Sequence, residues 1–410
     1  MRNIYTSLDI GTNSCKLLVA EVYKDKLNVL CTSEERCIGI KKGLIVNAEE
    51  TLATIKKLLQ EAEDMLSIKI AKVIVSIPLY NVEFVKGEGY ITVTREEKIF
   101  NGEDIVKSLQ ASAYNRIPDD RELVSIMPLE FVIDDEDKIM DPKGQHGSKL
   151  SVTSVMGMTP KKNVYSVITL LESLGLTVVD ITFNPIADYY AFEKEDYNKV
   201  TGAIVNLGRD KTEVSIMHKG VLINSEIIPI GGRDIDKMIA YEYNITSSDA
   251  KMLKENFGYA SLTNASMSDT ETLVDKEGKE ININQYELSE IIHERLKEML
   301  ELAKKQINLL TKQQISYIII TGGLTETRDF KLVYEEVFGK GIIPNGLTEI
   351  GVRDNKYSVC VGMIKYYYSK LKFRNKVSSM LTEEDEIELV NTKKKDNNVV
   401  GKIIEYFFDN

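Results

Sequence analysis

The sequence is poor in the residues from which metal centres and disulfide frameworks are built. Its 410 residues include four Cys, three His and no Trp. The Cys have no metal-ligand spacing and the three His are widely separated, so neither a zinc site nor a relay of His residues is predicted. Isolated thiols of this kind are typical of a reduced, cytosolic protein.

Positive charge and long apolar runs are scarce as well. The chain has 52 Lys and Arg against 63 Asp and Glu, for a net charge of −11. Because phosphate contacts need a surplus of basic side chains, this balance argues against a nucleic-acid binder. No apolar run approaches the roughly 18 residues of a membrane-spanning helix. Asp9 and Gly11 interrupt the first apolar run, so no signal peptide is expected.

The common nucleotide motifs GxxxxGK[ST] and GxGxxG are also missing, but the sequence has an internal repeat. Residues 4–19 and 201–216 each read as an apolar strand, a polar turn with Gly11 or Gly208, and a second alternating strand. Period-two alternation around such a turn predicts a β-hairpin, and its backbone N–H groups can bind an anion. Two copies, each opening a similar half, predict two α/β halves that hold a polyphosphate between them.

Pairs of glycines follow two strands of the second half. Gly231 and Gly232 precede a predicted helix whose N-terminus would offer free N–H groups to an anion. Gly322 and Gly323 follow the buried strand 316–321 and precede another helix, which puts small residues where a flat ligand could lie against the backbone. A plain connection between strand and helix remains the alternative for each pair.

Four motifs together carry a resemblance to a known superfamily. They read DIGTNSCK (9–16), NLGRDKTE (206–213), IPIGGRD (228–234) and TGGL (321–324). In order and spacing they resemble the phosphate-1, phosphate-2, helix-start and adenosine motifs of the actin-like ATPases. Within that superfamily the chain is most similar to the FtsA family of bacterial cell-division proteins. The segment 82–158 carries much of this likeness, because the family has its subdomain 1C at that place.

The resemblance implies a fold class and a domain organisation. The fold is an α/β, actin-like fold of two pseudo-duplicated, ribonuclease-H-like halves with an SHS2-type 1C insert. The implied units are subdomain 1A (1–81, 159–198 and 352–374), 1C (82–158), 2A (199–230 and 315–351), 2B (231–314), a flexible linker (375–398) and an amphipathic helix (399–410). The length alone suggests two to four folded units, at about 100–200 residues per domain.

The resemblance also implies a site for ATP and Mg²⁺ between the halves. Phosphate contacts from the first half are expected from Gly11, Thr12, Asn13, Ser14 and Lys16. Those from the second half are expected from Gly208, Arg209 and Asp210. The nucleoside pocket is expected to be lined by Gly231, Gly232, Lys254, Gly322 and Gly323. Asp9 is expected to orient Mg²⁺ through water, because Mg²⁺ at a nucleotide keeps several water ligands. A solvated surface position is the alternative for Lys16 and Lys254.

The sequence departs from the superfamily pattern at three acidic positions. Asn206 stands where the phosphate-2 motif usually begins with Asp, Asn184 where Glu usually precedes Pro, and Lys251 where an acidic residue contacts ribose. Hydrolysis needs a group that orients water and accepts a proton, and Asn cannot accept a proton. We therefore expect ATP to be bound but hydrolysed slowly or not at all.

The C-terminal end predicts a contact with the membrane. Residues 376–398 are rich in charge, as in a solvated linker. In residues 399–410, apolar side chains recur on one helical face: Val400, Ile403, Ile404, Phe407 and Phe408. Their burial offers on the order of 8–15 kcal/mol, which is largely offset by ordering this segment at about 1–2 kcal/mol per residue. Stable attachment would therefore need many tails in one homopolymer. A tail packed on its own domain is the alternative.

The family's chief partner is the tubulin-like protein FtsZ, whose acidic C-terminal peptide binds subdomain 2B. Arg295 matches a basic position for this contact, with a plain surface arginine as the alternative. Other division proteins are expected to contact 1C. The implied function is to anchor FtsZ filaments to the cytoplasmic face of the membrane at the septum. The alternatives are a pilus-assembly actin homologue acting as a scaffold, and a small-molecule kinase, which would need a carboxylate base.

Overall fold

The computed structural model describes residues 3–41, 43–340, 346–352 and 354–381. These residues form two α/β halves, each built on a mixed sheet, and a further sheet inserted into the first half. One large apolar core lies in each half, and a smaller one lies in the insert. The four Cys are buried free thiols.

The first half opens with a meander of three strands. Its elements before the insert are β1 (Asn3–Ile10), β2 (Ser14–Tyr23), β3 (Lys26–Arg36), β4 (Ile40–Lys41), β5 (Leu44–Ile45), α1 (Ala48–Leu66) and β6 (Lys72–Ile77). Helix α1 begins at Asn47, whose side chain accepts a hydrogen bond from the Glu50 N–H. Apolar side chains at helical spacing, such as Ile55 and Leu59, bury one face of α1. The chain then returns as β6, parallel to β1.

The insert packs one helix on an antiparallel sheet in the order β7–β10–β8–β9. Its elements are β7 (Glu83–Thr92), α2 (Gly102–Ala113), β8 (Arg121–Ile133), β9 (Asp137–Ile139) and β10 (Lys149–Pro160). Asn101 and Asp104 form a reciprocal capping box that starts α2. The helix lies directly on β7, because a Cβ on Gly89 would come within 2.3 Å of the Ser112 nitrogen. Along the chain the insert therefore reads strand, helix, strand, short strand and strand.

The first sheet is completed after the insert. The chain continues through α3 (Lys161–Glu172), β11 (Thr177–Phe183) and α4 (Asn184–Phe192). Strand β11 lies parallel to β6, which gives the order β11–β6–β1–β2–β3. Strand β6 precedes the insert in the chain and β11 follows it, yet both belong to the first sheet. The insert therefore interrupts the sequence of the first half but not its sheet.

The second half repeats the meander of the first. Its elements are β12 (Thr201–Leu207), β13 (Thr212–His218), β14 (Val221–Ile228), α5 (Gly232–Glu242), α6 (Ser247–Asn256), β15 (Thr270–Val274), β16 (Glu280–Asn284), α7 (Gln285–Leu310), β17 (Tyr317–Thr321) and α8 (Phe330–Phe338). The sheet order is β14–β13–β12–β17, with β17 parallel to β12 as β6 is to β1. Helix α8 begins directly after Asp329, whose backbone is in the left-handed region.

The last helix of the described residues, α9 (Ser358–Phe373), returns to the first half and packs against α4. The two helices touch backbone to backbone, because a Cβ on Gly362 would fall 1.7 Å from the Ala187 carbonyl oxygen. The chain after α9 also stays packed. Met380 is buried, and its N–H donates to the Ile4 carbonyl at 2.9 Å. The predicted linker therefore begins with a docked segment, since Met380 fills the apolar core beside β1.

Candidate functional site

Two equivalent turns connect the first two strands of each half. The Gly11 N–H donates to the Ser14 carbonyl at 3.2 Å, and the Gly208 N–H donates to the Lys211 carbonyl at 3.0 Å. A Cβ on either glycine would lie 2.8 Å from the carbonyl oxygen that its own N–H bonds. Glycine is therefore required at both turns for the same reason, and the predicted duplication is confirmed in three dimensions.

Both turns line a single cleft of about 470 Å³ between the halves. The predicted contact residues that line it are Asp9, Gly11, Thr12, Asn13, Ser14, Lys16, Gly208, Arg209, Asp210, Gly232, Lys254, Gly322 and Gly323. Gly231 is the exception. A Cβ at Gly231 would lie 2.6 Å from the Arg209 carbonyl oxygen, so this glycine makes room for the second turn rather than for a ligand.

The start of α5 supports the second turn. The Gly232 N–H donates to the Gly208 carbonyl at 3.0 Å, and the Arg233 N–H donates to the Arg209 carbonyl at 2.8 Å. The expectation that this helix offers free N–H groups to an anion is therefore wrong for these positions. Their donors are already used by carbonyls of the turn, which holds the turn's shape from behind.

The Arg209 side chain spans the cleft at the turns. Arg209 Nη1 donates to Asn13 Oδ1 at 2.6 Å, which joins the second half to the first. Arg209 therefore points across the cleft rather than away from it. A guanidinium at this place adds positive charge between the two turns, where anions bound by both would sit.

The phosphate-1 side of the cleft carries a buried charge pair. Lys16 Nζ lies 3.7 Å from Asp9 Oδ2, and the Ser76 hydroxyl donates to Asp9 Oδ1 at 3.1 Å. Burial lowers the pKa of Lys16, but the Asp9 and Glu34 carboxylates more than offset this, so its pKa lies above the ordinary value. With 13% of its side chain exposed, Lys16 is a cation of the cleft wall and not a solvated surface residue.

A second buried pair lies on the side of the cleft where the nucleoside is expected. Lys254 Nζ contacts an oxygen of Asp236 and also donates to the Gly232 carbonyl at 3.2 Å. Lys254 is 6% exposed and Asp236 is 2% exposed, so the surface alternative for Lys254 is excluded. Gly322 has φ of 95°, and a Cβ there would meet the Leu207 carbonyl oxygen at 2.5 Å, so only glycine fits this close approach.

Unpaired acceptors face the same cleft. Among the described residues, nothing donates a hydrogen bond to Asn184 Oδ1 or to either carboxylate oxygen of Asp210, although all three atoms are buried. Arg233 Nε lies 3.1 Å from Asp210 Oδ1 without the geometry of a hydrogen bond. Buried acceptors normally have donors, which water molecules around a bound cation would supply.

The cleft therefore fits a phosphate chain with a hydrated cation. Lysine and arginine side chains and glycine-containing turns supply the groups that bind phosphate, and Asp9 with the unpaired acceptors supplies oxygens for the water shell of Mg²⁺. No group of three or more His, Cys, Asp or Glu in the described part of the chain could hold a metal by itself.

Several charged residues of the cleft were not predicted. Glu34 accepts hydrogen bonds from the Ser14 hydroxyl at 2.6 Å and from Lys356 at 2.9 Å. Glu213 pairs with Lys211 at 2.6 Å. Glu213 could have been found from the hairpin register, because it lies directly opposite Asn206. Glu34 has the same signal, because it lies directly opposite Lys16 in the register of β2 and β3. Lys356 has no such signal, because only the tertiary fold brings it to the turns.

Arg295 lies away from the cleft, on α7. Its Nη1 donates to Glu298 at 2.6 Å, and its Nη2 contacts the Met238 sulfur at 3.1 Å. Tyr241, one turn further along α5, is 84% exposed. Arg295 is thus a half-exposed arginine at the edge of an apolar surface that the sequence did not predict.

The predicted membrane residues Val400, Ile403, Ile404, Phe407 and Phe408 lie outside the described residues. Within the described ranges, no helix combines the length and apolarity needed to cross a membrane.

Comparison with family models identifies two regions of the chain. Residues 203–362 match the model for cell division protein FtsA, and residues 81–156 match the model for the SHS2 domain inserted in FtsA. Among curated proteins, cell division protein FtsA of Bacillus subtilis is 26% identical over 387 residues, covering 94% of this chain and 88% of that protein. FtsA of Enterococcus hirae is 27% identical, covering 88% and 83%.

Solved structures show the same fold at low identity. The PilM–PilN type IV pilus biogenesis complex matches with a TM-score of 0.58 at 14% identity, covering 90% of this chain and 98% of that chain. MreB5 of Spiroplasma citri bound to ADP matches with a TM-score of 0.55 at 15% identity, covering 91% and 99%. These likenesses establish the actin-like fold. With the two family models and the relatives of matching length, they show that the chain belongs to the FtsA family of bacterial cell-division proteins.

Proposed function

We propose that this protein binds ATP with Mg²⁺, polymerises on the cytoplasmic face of the cell membrane, and anchors FtsZ filaments there during division. The observation that carries the nucleotide part is the pair of equivalent glycine turns on one cleft, joined by Arg209 and Asn13. Family membership supports the division role.

The chain's own residues divide the work of holding the nucleotide. Lys16 and the first turn would bind the phosphates from one side, and Arg209 with the second turn from the other. Gly323, which has open space at its Cβ position, and Lys254 line the part of the cleft proposed for the nucleoside. Mg²⁺, when bound, would neutralise charge on the phosphates, and Asp9 would accept hydrogen bonds from its water ligands.

The same residues favour slow hydrolysis. Asn184 Oδ1 is a buried acceptor without a donor, so it can orient a water molecule. An amide cannot take that water's proton, however, and the carboxylate of Glu213 is already paired with Lys211. ATP would then act mainly as a structural ligand that holds the two halves together.

Lys16→Met tests the nucleotide site. Loss of a charge-assisted contact costs about 1.5–3 kcal/mol, so affinity for a fluorescent ATP analogue should fall by about 10-fold or more. Lys138→Met, at a position with 70% of its side chain exposed, is the matched control. Equal affinity of Lys16→Met and the control would contradict the site.

Hydrolysis is tested separately by phosphate release from purified protein with Mg²⁺ and ATP. We expect turnover far below the typical enzymatic range of about 1–1000 per second. A turnover on the order of tens per minute would refute the view of ATP as a structural ligand.

The FtsZ contact is proposed for the surface around Arg295. Its guanidinium contacts the Met238 sulfur, and Tyr241 on the same helix as Met238 is exposed, so this surface suits a peptide that combines acidic and apolar side chains. Arg295→Glu should weaken binding of the FtsZ C-terminal peptide, measured by fluorescence anisotropy. Lys297→Glu is the control, because Lys297 pairs with Glu336 towards α8 instead. Loss of binding in the control alone would place the peptide on the other face of α7.

Membrane attachment is proposed for residues 399–410. Deleting them should abolish sedimentation with vesicles of anionic phospholipid, while leaving nucleotide binding intact. Because one tail binds weakly, sedimentation of the full chain should rise steeply with protein concentration as polymers form. Sedimentation that survives the deletion would show that another surface binds lipid.

A further inference from the structure

A buried carboxylate lies one layer behind the cleft. Asp188 belongs to α4 and is fully buried, with 0% of its surface exposed. Within the described residues it has no cationic partner. Burial raises its pKa to about 6, with hydrogen bonds to Ser358, Thr321 and Asn206 opposing the rise. Burying an ionised carboxylate costs free energy. We therefore ask what a carboxylate at position 188 does that a neutral side chain could not.

The three partners of Asp188 all belong to elements that form the cleft. Its Oδ1 accepts from the Ser358 hydroxyl at 2.6 Å. Its Oδ2 accepts from the Thr321 hydroxyl at 2.9 Å and from Asn206 Nδ2 at 3.3 Å. Asn206 and Ser358 themselves line the cleft, and Thr321 directly precedes Gly322. One carboxylate therefore ties together the second turn's strand, the nucleoside loop and the start of α9.

The property that distinguishes a carboxylate is that it only accepts hydrogen bonds. Because Asp188 can only accept, Asn206 must point its amide nitrogen towards Asp188. The Asn206 carbonyl oxygen then points away from Asp188. Asn206 Oδ1 lies 3.9 Å from the Cβ position of Gly208, on the side of the second turn. An amide or hydroxyl at 188 could also donate, and would leave the orientation of Asn206 undetermined.

We propose that Asp188 is a positioning residue that keeps the Asn206 carbonyl oxygen turned into the cleft as an acceptor for the water shell of Mg²⁺. The proposal rests on the nucleotide site proposed above. In the first half, Asp9 occupies the equivalent place on β1, where its carboxylate is itself in the cleft. In the second half the carboxylate is Asp188, which lies behind Asn206 as seen from the cleft, and the Asn206 amide supplies the oxygen that faces the cleft.

The same contact explains why Asn206 is an amide. An Asp at 206 would place two carboxylates in contact, and neighbouring carboxylates cannot both be ionised without a large cost. Exchanging the two side chains restores one acid and one amide. In the Asp188→Asn/Asn206→Asp double variant, the amide at 188 donates to the carboxylate at 206. The Ser358 and Thr321 hydroxyls can rotate to donate or accept, so the network can close again.

The test measures affinity for a fluorescent ATP analogue with Mg²⁺ and with EDTA, together with thermal unfolding. Asp188→Asn and Asn206→Asp should each weaken binding with Mg²⁺ by about 10-fold or more, the size of outer-shell effects at metal sites. In EDTA, the affinity of each variant should differ little from the affinity of the wild type in EDTA. The double variant should recover most of the Mg²⁺-dependent affinity, which a purely structural role would not produce.

Two further variants keep the proposal falsifiable if a charge variant fails to fold. Asn206→Ala removes the acceptor but leaves Asp188 its two hydroxyl donors, and should lose the same Mg²⁺-dependent affinity. Asp180→Asn makes the same chemical change at an acid paired with Lys370 outside the cleft, and should not alter nucleotide affinity.

The outcomes separate the two proposals. If the wild-type protein does not bind ATP, the nucleotide site is refuted and this inference falls with it. If the wild type binds ATP but Asn206→Ala binds Mg²⁺ and ATP equally well, only the positioning role is refuted. Failure of a folded double variant to recover affinity would also overturn it.

Discussion

Asp236→Asn should expose how strongly the nucleoside side of the cleft depends on one buried ion pair. Lys254 is 6% exposed, and its ammonium donates hydrogen bonds to Asp236 and to the Gly232 carbonyl. Replacing Asp236 leaves the ammonium buried without a counter-charge. Breaking a buried pair in this way costs about 3–5 kcal/mol, a large part of the roughly 5–15 kcal/mol by which proteins are stable.

The assay is unfolding in urea, compared between the wild type, Asp236→Asn and the double variant Asp236→Leu/Lys254→Met. The double variant removes both charges and keeps similar volumes, so it should recover most of the lost stability. It should not recover ATP affinity, because Lys254 is a proposed contact of the nucleoside. Comparing the single and the double variant therefore distinguishes the effect on stability from the effect on ATP affinity.

Two results would refute this reasoning. A loss below about 1 kcal/mol in Asp236→Asn would mean that water or another group compensates Lys254, as it does for exposed pairs. A double variant as unstable as the single one would mean that packing, rather than the unpaired charge, causes the loss.

Three further predictions concern the cleft and the insert. Arg209→Ala removes the bond to Asn13, worth about 1.5–3 kcal/mol for a charged donor, so small-angle scattering of the nucleotide-free protein should show a wider separation of the halves; an unchanged curve would contradict this. Gly89→Ala forces a Cβ to within 2.3 Å of the Ser112 nitrogen and should lower the thermal midpoint through about 1–3 kcal/mol of overpacking. Gly346→Ala is the control and should leave the thermal midpoint unchanged, because no atom of the described residues lies within 4 Å of the added Cβ. Removing Mg²⁺ with EDTA should weaken ATP binding to the wild type, because acidic side chains then face the phosphates directly; equal affinity with and without Mg²⁺ would argue against a hydrated cation in the cleft.

The hairpins and their turns could be predicted from the sequence because their causes are local. Alternating burial sets the strands, and a tight turn that closes on its own carbonyl requires glycine at 11 and 208. The helix of the insert has a similarly local cause in the capping box of Asn101 and Asp104. These patterns lie within a few residues of chain, so no tertiary contact is needed to recognise them.

Other features depended on what packs against them. The first turn of α5 looked like an anion site, but its donors bond the carbonyls of Gly208 and Arg209. Gly231 looked like a ligand contact, but it makes room for the same turn. The predicted linker is rich in charge as a whole, yet Met380 near its start docks on β1. Each of these features depends on a partner that lies elsewhere in the chain.

The amino-acid sequence by itself determined the duplicated turns, the insert and the family, because strand period, glycine geometry and motif order are properties of short segments. Only the tertiary structure decided which charges meet. Arg209 reaches Asn13 across 196 positions, and Asp188 joins elements from both halves. Burial makes an unpaired charge or acceptor costly, and whether a group is buried or paired is settled only when distant elements come together.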